Sequence, residues 1–159
     1  MRLALTYIAV AASLCVAGNS ADRKSWNKVR YIGGTVSIKT SPYDWNTTLT
    51  ITTQPPSIVV SIAPASLFSP KQTVHIAPSL VTSLSAGPVA WRVVGGIGGA
   101  KLPARTPALF GLLQDNGSIG IVYQTDDGKS GSILLETHLI WQILPVLKSI
   151  TGKPIEDSP

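Results

Sequence analysis

Residues 119–136 read IGIVYQTDDGKSGSILLE. Two apolar runs, Ile119 to Thr125 and Gly131 to Glu136, flank Asp126-Asp127-Gly128-Lys129. Asp-Gly supplies the positive backbone angles a tight hairpin turn needs, so this stretch predicts an antiparallel hairpin. Upstream, Thr47 to Thr53 (TTLTITT) alternates, with Leu49 and Ile51 on one face. Pro55-Pro56 ends it, because proline cannot donate to a ladder. Ser57 to Ala63, Gln72 to Ala77 and Val81 to Ser85 read as further strands, and Tyr31 to Lys39 as the first.

Downstream of the hairpin the period changes. Thr137 to Thr151 (THLIWQILPVLKSIT) repeats Ile140, Ile143/Leu144, Leu147 and Ile150 at helical spacing. Thr137 is placed to cap its start and Gly152 its end. Pro145 falls inside and removes one hydrogen bond. The fold class expected is mostly β (α+β): an antiparallel barrel or sandwich of about seven strands with one C-terminal α-helix. Ile140, Leu144, Leu147 and Ile150 are expected to pack on Val36, Ile38, Leu49, Ile51, Val59 and Ile121.

The N-terminus reads as a leader. Arg2 precedes an uncharged apolar run from Leu3 to Ala17, then small residues and Asp22-Arg23-Lys24. A run of about 15 residues is short for a bilayer span and suits a secretory signal peptide. Residues 1–21 are therefore expected to be a signal peptide, 22–153 one β-rich domain and 154–159 a short tail. Export places the mature protein in the periplasm or outside the cell. Cys15 follows Leu14, a poor context for a lipidated cysteine, and reads as part of the leader's apolar core.

Charged residues are 13% of the chain, against about 25% in an average protein. The formal charge of +5 is dispersed along the sequence, which suits solubility and argues against nucleic acid. One Cys and two His cannot form an internal disulfide or a cysteine-based zinc site, and no metal or cofactor is expected. No G-x-S-x-G, H-E-x-x-H or C-x-x-C occurs. The run Gly95 to Lys101 lacks the spacing of a phosphate loop. The expectation is a protein without catalytic residues. A small enzyme using Asp44, His75 or His138 would require a cleft joining two of them. Asn46-Thr47-Thr48 matches a glycan acceptor.

Trp91 to Leu113 (WRVVGGIGGAKLPARTPALFGLL) breaks the strand rhythm. It reads as an apolar Gly/Pro-rich insertion over 91–113. Either it folds over the sheet, or it forms a wedge in which Leu109, Phe110 and Leu112 are flanked by Arg92, Lys101 and Arg105. Trp141 widens the apolar face of the helix in the same sense. These seven residues are the candidate contacts with an anionic membrane surface or a protein partner. The function expected is an exported non-enzymatic binding or scaffolding module, with peripheral membrane association as its alternative.

The stretches SWNKVRYIGGTVSIK, SPYDWNTTLTIT, PALFGLL, IGIVYQTDDGKSGSILLE and LKSITGKP resemble a family of uncharacterised exported bacterial proteins. That resemblance implies export and a single domain. The order of strands, hairpin and last helix also resembles a pleckstrin-homology-like, or GRAM-like, barrel, in which a bent sheet is closed at one end by a helix.

Overall fold

The structure, a computed structural model, describes residues 22–41, 43–104 and 117–158. Eight strands form one sheet: β1 Arg23–Gly34, β2 Thr47–Thr53, β3 Pro56–Ile62, β4 Gln72–Ile76, β5 Val81–Ala86, β6 Ser118–Gln124, β7 Ser130–Thr137 and β8 Ile155–Glu156. Two α-helices join them, α1 Gly87–Gly95 and α2 Ile140–Thr151. The spatial order is β4-β3-β2-β1-β7-β6-β5-β8. The chain is thus mostly β with α-helices, as expected.

β1 belongs to both halves of the sheet. Arg23 to Val29 pairs with β2, and Val29 to Gly34 pairs with β7. Irregularities between Trp26 and Val29, and between Tyr31 and Gly33, bend the strand at the handover. One core is shared by both halves: Leu49, Ile51, Ile58 and Val60 from one side, Leu84, Ile121, Ile133 and Leu135 from the other. α2 enters this core with Ile143 and Leu147, both fully buried.

The helix differs in detail from the expected stripe. Ile140, Leu144 and Ile150 are only partly buried at the margin of the core. Gly152 adopts the left-handed C-cap conformation, as the sequence predicts. Thr137, the expected cap, is not the N-cap: that position is Leu139, two residues on, with no side-chain cap bond. The Thr137 hydroxyl accepts from the Leu139 amide at 3.0 Å and donates to the Lys28 carbonyl at 2.8 Å. Pro145 lies on the exposed face, so the Trp141 carbonyl that loses a donor faces water.

Several expectations need correction. The sheet is not a closed barrel: β4 and β8 are edges, with no strand paired beyond them among the described residues. Among the described residues there are two α-helices, not one. Trp91 to Gly95, expected within an insertion, forms the end of α1. Pro88 in its first turn and Gly95-Gly96 at its stop suit a helix. Ala90 and Val94 pack on Leu134 across the sheet from the main core. Gly120 permits this approach, because a Cβ there would clash with Ser85, Val94 and Ala90. The expected tail is also partly structural, since Ile155–Glu156 pairs in parallel with Leu84 and Ser85. Val59 points away from the core, while its neighbours Ile58 and Val60 are fully buried.

Leu147→Ala should cost about 2–5 kcal/mol, the usual range for emptying a buried leucine site. Urea unfolding of this variant beside Leu144→Ala checks the assignment, and the partly buried Leu144 should cost clearly less.

Candidate functional site

Where β2 begins, β1 loses its partner on that side, and a loop takes over. The Asn46 side chain does what a strand would otherwise do. Its Oδ1 accepts from the Tyr31 amide at 2.9 Å and from the Thr47 hydroxyl at 2.7 Å, while Nδ2 donates to the Ser41 carbonyl at 3.2 Å. The amide of the glycan-acceptor motif is therefore engaged inside the fold.

Arg30 anchors the same loop. Its guanidinium donates to the Tyr43 carbonyl at 3.1 Å and the Asp44 carbonyl at 3.4 Å, and pairs with Glu136 at 3.4 Å. It also lies 4.9 Å from the centre of the Trp45 ring, a cation–π distance. The His138 ring meets Trp45 edge-on, with centroids 5.2 Å apart. Arg30 is thus saturated by neighbours and holds Tyr43 and Trp45 in place.

The next loop, between β3 and β4, is fastened to the first. The Ala63 amide donates to the Asn46 carbonyl at 2.7 Å, and the Ala65 amide to the Lys39 carbonyl at 2.9 Å. Gln72 Nε2 donates to the Ser37 carbonyl at 3.2 Å. At the tip, Leu67 and Phe68 are 99% and 100% exposed. The Phe68 amide donates to Ser66 Oγ and the Ser69 amide to the Ser66 carbonyl, so the tip has local backbone order. The exposed large hydrophobics among the described residues are Tyr43, Trp45, Leu67, Phe68 and Trp141. Four of the five lie on these two adjoining loops, and Trp141 lies one helical turn beyond His138.

At the far end of the β3–β4 hairpin lies an open cleft of about 460 Å³. Ser57 and His75 line it from β3 and β4, and Tyr123, Gln124, Thr125 and Asp126 from the end of β6 and its turn. The Tyr123 ring covers Gly131 on the paired strand, where a Cβ would strike it. Burial pushes the Tyr123 phenol up, and the Thr35 side chain opposes this in part. In the adjacent turn, Asp127 accepts from the Thr125 hydroxyl and pairs with Lys129 at 3.2 Å. Thr125 first, then Lys129, hold its carboxyl down at about 2. Asp127 is thus occupied in building the turn.

Of the seven expected contact residues, Arg92, Lys101 and Trp141 are among the described residues, and Trp141 lies apart from the other two. Arg92 is exposed on α1 and Lys101 bridges to Gly34, on the α1 side of the sheet. Trp141 belongs to α2, on the opposite side, and is 69% exposed. Arg105, Leu109, Phe110 and Leu112 lie outside the described residues, as do the expected leader and Cys15. Trp91 is half-buried and donates to the Ser118 hydroxyl at 3.0 Å. His75 lines the cleft, whereas Asp44 and His138 flank Trp45. No hydrogen bond joins the side chains of Asp44 and His138 among the described residues. Among those residues no three His, Cys, Asp or Glu gather, and no helix is long and apolar enough to cross a membrane.

In the sequence, Pro64 to Pro70 (PASLFSP) reads as an ordinary loop. A signal was present: two adjacent large apolar residues sit between serines and prolines, with no alternation that would bury one of them. No family model, curated protein or solved structure matches the chain.

Two predictions follow from the loop anchors. Asn46→Ala leaves the Tyr31 amide without its partner and should destabilise the fold by about 1–3 kcal/mol, read from denaturant unfolding. The Tyr31 hydroxyl donates to the Val36 carbonyl at 2.8 Å. Burial first, then the neighbouring Tyr123, push its phenol up to about 12, from 10.0. Its stabilising contribution is complete below pH 10 and is lost as pH rises through about 12. The denaturation midpoint should fall over that window, and fall less steeply in Tyr31→Phe.

Proposed function

We propose that the protein is an exported, non-enzymatic binding module that docks through the loops 37–46 and 63–72. The observation that carries this reading is the placement of Tyr43, Trp45, Leu67 and Phe68 on two mutually hydrogen-bonded loops. Single exposed hydrophobics are ordinary, but a cluster on a fixed platform is a usual mark of an interaction site. Arg30 and Asn46 support the reading, because they spend their polar groups holding the platform. The sheet and α2 then act as a rigid mount that lowers the ordering cost of docking. The strand order followed by a core-filling last helix supports the pleckstrin-homology-like comparison. The open sheet edges and α1 depart from it.

The cleft beside His75 favours a second reading, a small polar ligand site. It is open and His75 is exposed within it, which makes it the weaker candidate.

Photo-crosslinking in the producing cells tests the choice. A photoreactive phenylalanine analogue at Tyr43 or Phe68 should give adducts, and the same group at Arg92 or His75 should give none. Adducts confined to Arg92 or His75 would move the docking surface to α1 or to the cleft.

A further inference from the structure

We infer that the partner of this docking surface is an anionic lipid bilayer, entered by the tip Leu67-Phe68. This inference rests on the docking surface proposed above and names what it meets.

The shape of the tip is the first argument. Leu67 and Phe68 are almost wholly free of protein contact, so they protrude instead of lining a groove. A protein partner would need a matching pocket for a projecting pair, whereas acyl chains accommodate it without one. Serines and prolines bracket the pair, and no charged residue lies within 63–70.

The surroundings are the second argument. Lys39 and Lys71 are exposed at the base of the tip, on the two segments that the Ala65–Lys39 hydrogen bond joins. A lysine close to a bilayer gains from anionic headgroups. Tyr43 and Trp45 are exposed on the same loop as Lys39, and such amphipathic rings favour the depth of the headgroups. Arg30 and Glu136 neutralise each other, and Asp44 is the exposed carboxylate of this platform. With the two lysines it leaves a small positive surplus. The chain as a whole carries +5.

Vesicle flotation and hydrogen exchange test the inference on the exported form, residues 22–159. The probes are vesicles of phosphatidylcholine alone and of phosphatidylcholine mixed with phosphatidylglycerol. The protein should float with the mixed vesicles, less so as salt is raised. Leu67→Ser/Phe68→Ser should lower partitioning at least about tenfold, since two large apolar side chains no longer leave water. Lys39→Gln/Lys71→Gln should lower it about tenfold on anionic vesicles only. Arg92→Gln should change nothing. The tip side chains pack on nothing, so an unchanged thermal midpoint confirms that the tip variant is folded. In exchange, amides of 63–72 should gain protection on adding anionic vesicles, and those of 92–104 should not.

Flotation of the tip variant equal to that of the original chain, or no protection at 63–72, overturns the inference. Adducts at Phe68 that are protein only, with no vesicle binding, also overturn it while leaving the docking surface in place. Adducts absent at Phe68 and Tyr43 would instead remove the docking surface itself.

Discussion

Val29 is paired on both sides at once, with Thr47 of β2 and Thr137 of β7. All three are buried. Everything else in the fold depends on this handover. Before it, β1 carries the hairpins β2 to β4; after it, β1 carries β5 to β7. A flat strand would place the two halves side by side with separate faces. The irregularities on either side of Val29 bend β1, so that both halves contribute to one core around Ile143 and Leu147 of α2. A single core of this kind is what lets so short a described region bury enough apolar surface to fold.

The same handover creates the docking platform. Once β1 passes Val29 it leaves β2, and its backbone needs new partners on that side. Asn46 meets the Tyr31 amide, and Arg30 ties down Tyr43 and Asp44. The loop between β3 and β4 is then fastened to this first loop through Ala63 and Ala65. The exposed apolar residues are therefore held by polar contacts made necessary by the fold. This is a common economy: hydrogen bonds do the positioning and apolar side chains remain free for contact.

Polar burial is handled differently under α1. Ser85 and Ser132 are fully buried, and their hydroxyls have no hydrogen-bond partner among the described residues. Ser85 and Gly120 form a layer of small side chains that allows the helix to lie close to the sheet. Steric need explains their size better than hydrogen bonding does. The expected insertion residue Trp91 is drawn into the same interface through Ser118.

What the amino-acid sequence alone determined was local: the β6–β7 hairpin from Asp-Gly, β2 and β3 from alternation, and α2 with its Gly152 cap. Each is set by interactions within a few residues, and period-2 or period-3.6 patterns report them directly. The first part of β1 was hidden, because the irregularity after Trp26 puts the next buried residue at Val29, three positions on, and the alternation fails. α1 was hidden because its Gly and Val content reads as loop or strand until Leu134 and Gly120 supply a surface to pack on. β8 is too short to carry a pattern at all. The proposed site depended on tertiary structure for a further reason. Tyr43 and Phe68 are far apart along the chain relative to any periodicity. Hydrogen bonds between loops, which no sequence pattern records, bring their segments together, and only exposure in the folded state separates Leu67 and Phe68 from equally apolar residues of the core.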